Sequence, residues 1–170
     1  MKNLIVYSSL TGNTKKVAEA VAEVFGNAAV FSVETAPDPA DYDLVAIGFW
    51  VDRGTADKKA QEYLKGIRGK KVALFATLGA CPESEHAAQS MANTAALLEE
   101  SNTIMGTFIC QGKVDPRLIE RFKELPLGHP HAVTPERRAR YHEAAKHPDE
   151  NDLEKAKEIF SKMMDKVTSH

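Results

Sequence analysis

The chain has 170 residues, and its 22 lysines and arginines nearly balance its 24 aspartates and glutamates, for a formal net charge of -2. Its hydrophobic fraction of 43% and charged fraction of 27% are ordinary for a soluble globular protein of single-domain size. This composition gives no reason to expect nucleic acid or an anionic membrane as a partner. No apolar run reaches the roughly 18 residues of a membrane-spanning helix, and we expect no signal peptide.

Strands and helices are predicted to alternate along most of the chain. Short apolar runs predict five strands: Leu4–Tyr7, Ala28–Val33, Leu44–Phe49, Lys71–Thr77 and Thr107–Gln111. Helical periodicity predicts helices over Thr14–Phe25, Ala56–Ile67 and Ser84–Glu100, with Thr55 as the cap of the second. This alternation with short loops favours an α/β fold, a parallel sheet covered by helices on both faces.

The alternation stops after the fifth strand. Residues 115–125 are predicted to be helical, and Thr134 and Pro135 open another helix. The last predicted helix, Asp152–Val167, has one apolar face, which we expect to cover the same sheet. The chain is therefore predicted to be one domain over residues 1–170, with a core and a helical C-terminal extension that begins at residue 115.

The loop after the first strand is the first candidate site. It consists of Ser9, Leu10, Thr11, Gly12, Asn13 and Thr14. Backbone N–H groups at a helix N-terminus lack intrahelical partners and carry the positive end of the helix dipole. Three hydroxyls and a glycine complete a site suited to a phosphate. The loop matches neither the Walker motif nor the G-x-G-x-x-G motif. A well-capped turn without a ligand is the alternative interpretation.

The string S-L-T-G-N-T resembles the phosphate loop of flavodoxins, whose pattern is [T/S]-x-T-G-x-T. The likeness continues in strand order and loop placement through residues 1–114. It implies a doubly wound, five-stranded parallel sheet of order 2-1-3-4-5 with FMN bound at the carboxyl ends of the strands. Residues 1–114 would then form the FMN-binding core.

The loop after the third strand is where the resemblance places one side of the flavin ring. Its candidate residues are Phe49, Trp50, Val51 and Asp52. Trp50 is the only tryptophan, and an aromatic ring there can stack on the flavin; packing into the core is the alternative. Flavodoxins often have glycine after this aromatic, because its peptide must flip toward the reduced flavin. Val51 is expected to hinder that flip, unless a longer loop gives the role to Gly54.

The loop after the fourth strand holds the remaining candidates, Thr77, Leu78, Gly79, Ala80 and Cys81. Flavodoxins often place a tyrosine here over the outer face of the ring. This sequence has no aromatic residue between Phe75 and Phe108. The resemblance therefore implies that the outer ring face is open to a substrate or partner, or is covered by an aliphatic side chain.

The cysteines and histidines suggest no metal site. Cys81 is predicted to lie near the flavin and Cys110 in the core, both as free thiols of a reducing cytoplasm. No histidine is at metal-ligand spacing with a cysteine or carboxylate cluster. Four histidines are expected on the solvated surface: His129, His131, His142 and His147. His86 follows the fourth-strand loop and is a candidate neighbour of the ring edge.

The resemblance implies a cytoplasmic electron-transfer protein in which FMN supplies the chemistry and no side chain acts as a catalyst. Its partner would be a redox protein such as a reductase, with no nucleic acid, membrane or metal involved. Two alternatives remain open. One is an NAD(P)H-dependent FMN or quinone reductase, which the open ring face favours but the short loop after the fourth strand does not. The other is an accessory flavoprotein of one dedicated reductase, such as a bile-pigment reductase.

One further cluster has two interpretations. Arg137, Arg138 and Arg140 lie on a predicted helix that also holds Tyr141. This basic helix is either a docking face or an ordinary solvated surface.

Overall fold

The computed structural model describes residues 1–169, and a parallel sheet forms their centre. The strands are β1 (Asn3–Tyr7), β2 (Ala29–Ser32), β3 (Leu44–Asp52), β4 (Thr55–Ala56), β5 (Lys71–Leu78) and β6 (Thr103–Gln111). Five of them run parallel in the order β2-β1-β3-β5-β6, which confirms the predicted 2-1-3-4-5 order. The two-residue β4 is an addition that pairs antiparallel with the end of β3.

Helices lie on both faces of the sheet, as predicted. They are α1 (Asn13–Ala22), α2 (Lys58–Leu64), α3 (Glu85–Ala95), α4 (Pro116–Lys123), α5 (Pro135–Ala144) and α6 (Glu150–Thr168), with a 3₁₀ turn at Pro39–Asp41. Helices α1 and α6 cover one face, and α2 and α3 cover the other. Within residues 1–169, none of the helices combines the length and apolar character needed to cross a bilayer.

The sheet separates two apolar cores, because parallel strands covered on both faces are apolar on both sides. In the core under α1 and α6, the Phe160 ring meets the rings of Phe25 and Phe75 edge-on at centroid distances of 5.9 and 6.3 Å. Burying a side chain such as Phe160 contributes about 1.5–3 kcal/mol. Helix α6 thus covers the same sheet as the preceding helices, as its apolar face predicted.

Several predicted boundaries were wrong, among them the end of the third helix, which lies at Ala95 rather than Glu100. Thr55 does not cap the second helix, because it is taken into β4; Asp57 caps it instead, its side chain accepting a hydrogen bond from the Ala60 N–H at 3.3 Å. Strand β6 begins at Thr103 rather than Thr107, since it pairs with β5 from its first residue.

Candidate cofactor-binding site

A cavity of about 720 Å³ lies at the carboxyl end of the sheet, within the usual size range of small-molecule sites. One wall is formed by the ends of β3 and β5 and by the loops after β1 and β6, and the opposite wall by α4, α5 and the loop between them. Ten of the predicted site residues line it: Leu10, Thr11, Asn13, Thr14, Trp50, Val51, Asp52, Thr77, Leu78 and Gly79. The other five lie outside its lining: Ser9, Gly12, Phe49, Ala80 and Cys81.

The loop after β1 leaves the N-terminus of α1 open to the cavity. Gly12 is the N-cap residue, its φ is 92°, and it has no side chain with which to cap the helix. The left-handed backbone favours glycine here. Ser9 stabilises the loop, because its Oγ accepts hydrogen bonds from the N–H groups of Gly12 and Lys15 at 3.1 and 3.4 Å. The N–H groups of Asn13 and Thr14 in the first turn of α1 therefore remain available to an anion.

Two contacts fix this loop against its neighbours. The Oγ1 atoms of Thr14 and Thr77 are 3.0 Å apart, which joins the start of α1 to the end of β5. Asn13 Nδ2 donates to the Lys113 carbonyl oxygen at 2.9 Å. A Cβ at Gly112 would lie 2.7 Å from Asn13 Nδ2, so the loop after β6 approaches this closely only because glycine is present.

The segment after the predicted third strand is a hairpin rather than a loop. Strand β3 continues past Trp50, and Val51 pairs with Ala56 of β4. The turn has positive φ at both of its central residues, 51° at Arg53 and 79° at Gly54, the backbone that tight hairpins favour. The residue with conformational freedom is therefore Gly54, the alternative left open above, while Val51 is held in the ladder.

Alternation along β3 sends neighbouring aromatic side chains to different environments. Phe49 is fully buried in the core, whereas Trp50 is half-buried and lines the cavity. The Trp50 N–H donates to Asp57 Oδ1 at 3.2 Å, and Ser8 Oγ donates to Asp57 Oδ2 at 2.5 Å. Burial raises the pKa of Asp57, and the hydrogen bonds from Ser8, Ala60 and Trp50 oppose that shift. Asp57 therefore positions Trp50 through its backbone.

The two cysteines occupy different environments. Cys81 is exposed and lies outside the cavity lining, so the structure does not place it beside a ligand in this cavity. Cys110 is buried in the core, as predicted, and burial raises the pKa of its thiol.

The wall formed by α4 and α5 contains residues that the sequence did not assign to the site. Phe122 and Tyr141 line the cavity, and His131 lies parallel to Phe122 with a centroid distance of 5.1 Å. His131 is exposed, as predicted, but it faces the cavity, as does His86. These rings supply aromatic surface to a site whose β5 loop has none. Phe122 and Tyr141 are isolated aromatic residues in the sequence, and only the folded chain brings them together at the cavity.

The prediction of a solvated histidine without a carboxylate cluster was wrong for His147. Its side chain is 18% exposed, and its Nδ1 lies 2.6 Å from Asp152 Oδ2 and 3.7 Å from Asp149 Oδ2. Its Nε2 lies 3.4 Å from Glu143 Oε1. Asp149 and Asp152 also form the capping box of α6. The cluster thus connects the end of α5 to the start of α6. Its three carboxylates, those of Glu143, Asp149 and Asp152, all take part in these contacts.

This cluster predicts a pH-dependent stability. The hydrogen bond to Asp152 raises the pKa of His147, so its stabilising effect is complete below its unfolded pKa of about 6.5 and is lost as pH rises through the folded pKa. Between pH 6 and 9, wild type should lose more thermal stability than His147→Gln. His142→Gln is the control, since His142 is exposed on α5 and is in no ion pair of the described chain. If the thermal stability of wild type and of His147→Gln had the same pH dependence, the hydrogen bond between His147 and Asp152 would not be the source of the effect.

The chain is also similar to known proteins. A family model described as a flavodoxin domain matches residues 4–161. The chain belongs to the flavodoxin family. It is 34% identical to the flavodoxin-like domain-containing protein BilS of Clostridioides difficile (strain CD3), with 99% of each chain covered. The protein of the same name from Clostridium symbiosum (strain WAL-14163) is 30% identical, with 90% of each chain covered.

The fold of this flavodoxin also matches solved structures. The flavodoxin, WrbA-like protein from Agrobacterium tumefaciens superposes with a TM-score of 0.62 at 15% identity, covering 99% of this chain and 98% of that one. Flavodoxins use FMN as their cofactor, and the residues of this cavity fit it. The uncapped start of α1 with Thr11 and Thr14 suits its phosphate, and the half-buried Trp50 offers a flat face for its ring.

Proposed function

We propose that this flavodoxin transfers electrons between FMN and a partner redox enzyme. One observation supports the proposal most strongly: a single cavity joins the open N-terminus of α1 to Trp50. These two features match the two ends of FMN, a phosphate and a flat ring. When bound, FMN supplies the redox chemistry, and the protein provides orientation and electrostatics.

The chain's own residues have distinct roles in this proposal. The N–H groups of Asn13 and Thr14 and the hydroxyls of Thr11 and Thr14 bind the phosphate. Thr14 and Thr77 fix the position of that loop, and Asp57 holds the backbone of Trp50. Helices α4 and α5 close the far side of the cavity and exclude water from part of it.

A second candidate is an accessory flavoprotein for one dedicated reductase. The similarity to the two BilS proteins favours it, because the alignment with the first covers 99% of this chain and so includes the extension that contains α4, α5 and α6. A cytoplasmic location remains a prediction that rests on the two free cysteines.

Reduction of the FMN-loaded protein under anaerobic conditions tests the function. We expect NADPH alone to leave the flavin absorption unchanged, and catalytic amounts of a flavodoxin-reducing NADPH reductase to bleach it. Bleaching by NADPH alone would contradict the carrier role and favour the NAD(P)H-dependent reductase. Reduction by dithionite but not by the general reductase would favour the dedicated accessory role. Protein without FMN is the control for absorption by the reductants themselves.

A further inference from the structure

Helix α5 directs two of its three arginines into the cavity. Arg137 and Arg140 are three positions apart, lie on one side of the helix, and both line the cavity. Arg138 faces elsewhere and lines a separate surface depression with His142. The basic helix noted in the sequence is therefore divided between the cavity and the outer surface.

The two cavity arginines have no carboxylate partner within residues 1–169. Arg137 is half-buried, and its Nη1 donates to the Ala132 carbonyl oxygen at 2.5 Å. A guanidinium has five N–H donors, so most of those of Arg137 remain available to a ligand. The Arg140 guanidinium lies 5.6 Å from the centre of the Tyr141 ring. Arg140 is exposed at the edge of the same cavity. Two guanidiniums without a carboxylate partner at one cavity favour the binding of an anion.

The phosphate of FMN does not need these arginines, because the start of α1 already provides donors for it. A second anionic group is therefore the natural partner of Arg137 and Arg140. Flat surfaces lie in the same wall: Tyr141 follows Arg140 on α5, and the stacked rings of Phe122 and His131 line the cavity too. A planar molecule fits such a surface through ring packing.

We propose that Arg137, Arg140 and the aromatic wall of Phe122, His131 and Tyr141 form a second ligand subsite, for a small planar compound that bears a carboxylate or a phosphate. The subsite is continuous with the FMN site and rests on the proposed function, in that its ligand would lie in the same cavity as the flavin. The two guanidiniums bind the anionic group, with the paired hydrogen bonds that arginine forms to both kinds of anion. The rings contact the planar part.

Titration of the FMN-loaded protein with three naphthalene probes tests the subsite. The probes are naphthoate, naphthyl phosphate and the neutral naphthalenemethanol, followed by calorimetry and by the shift in flavin absorption. We expect at least one anionic probe to bind wild type about tenfold more tightly than the alcohol, since a hydrogen bond to a charged group is worth at least this ratio. Tighter binding of naphthyl phosphate would indicate a phosphate-bearing ligand, and tighter binding of naphthoate a carboxylic acid.

Single alanine variants separate the subsite from general effects. Arg137→Ala and Arg140→Ala should each lower the affinity for the anionic probe about tenfold and leave the alcohol unaffected. Arg138→Ala, one position away but outside the cavity, is the matched control and should bind as wild type does. Thermal melting checks that each variant folds.

Three results would overturn the proposal. The first is that the anionic probes bind no better than the alcohol. The second is that Arg138→Ala loses as much affinity for the anionic probe as Arg137→Ala and Arg140→Ala do. The third is that Arg137→Ala releases FMN, which would assign that guanidinium to the cofactor. Failure of the FMN site is recognised separately, by wild-type protein that does not bind FMN at all. In that case the same titration of the cofactor-free protein still decides whether Arg137 and Arg140 bind the anion.

Discussion

Replacing Thr11 and Thr14 together by alanine should lower the affinity for FMN by on the order of a hundredfold or more. Each hydroxyl can form a charge-assisted hydrogen bond to the phosphate, worth about 1.5–3 kcal/mol, and two such bonds correspond to at least this ratio. Titration of the cofactor-free protein with FMN, followed by quenching of flavin fluorescence, measures the effect. Unchanged affinity in the double variant would show that the loop after β1 is not the phosphate site.

Two controls isolate the phosphate contact. Thr35→Ala removes an exposed threonine that does not line the cavity and should leave the affinity unchanged. Thr77→Val removes the 3.0 Å contact between Thr14 and Thr77 but keeps both phosphate-loop threonines. If Thr77→Val lost as much affinity as the double variant, the effect would come from loop positioning. Thermal stabilisation by FMN, about 4 kcal/mol at a thousandfold excess over the dissociation constant, should shrink in the double variant as its binding weakens.

Replacing Trp50 by alanine should release flavin fluorescence and weaken FMN binding by about tenfold or more. Stacking of aromatic rings is worth about 0.5–1.5 kcal/mol beyond the burial of their surface, and that burial adds to the loss. Because Trp50 is half-buried at the cavity, the cofactor-free variant should keep most of its stability. Trp50→Phe retains a ring and should recover part of the affinity and the quenching.

The neighbouring aromatic residue is the matched control for Trp50. Phe49 is fully buried, so Phe49→Ala should lower the free energy of unfolding by about 3–5 kcal/mol. Denaturant unfolding of the cofactor-free variants, combined with FMN titration, distinguishes the two residues. A Trp50→Ala protein that unfolds as easily as Phe49→Ala, with no specific loss of FMN affinity, would assign Trp50 to the core.

Features set by contiguous residues could be predicted from the sequence. The apolar runs and the turns between them predicted a parallel sheet covered by helices, and the resemblance of the first loop to flavodoxins implied the strand order, which the structure confirms. The phosphate loop is one continuous string between a strand and a helix, and ten of the predicted site residues line one cavity. The apolar face of the last helix predicted its packing against the sheet, since periodicity encodes burial.

Local patterns predicted a loop after β3, where the structure has a hairpin. Its turn places Arg53, a residue with a side chain, at a φ of 51°, where turn patterns lead one to expect glycine, asparagine or aspartate. The role of Asp57 was missed for a related reason. An aspartate at a helix start predicts a cap, but its bonds to Ser8 and to the backbone of Trp50 depend on how β1 and β3 lie beside that helix.

By itself, the sequence determined the fold class and the candidate phosphate loop, because each depends on residues that are neighbours along the chain, and the resemblance of that loop to flavodoxins implied the strand order. Only the tertiary structure decided that α4 and α5 form the far wall of the cavity, with Arg137 and Arg140 inside it and Arg138 outside. It likewise decided the bond between His147, which precedes α6, and Asp152 in the first turn of α6. Helical periodicity predicts which face of a helix is apolar, but the path of the chain after β6 determines which residues each face contacts.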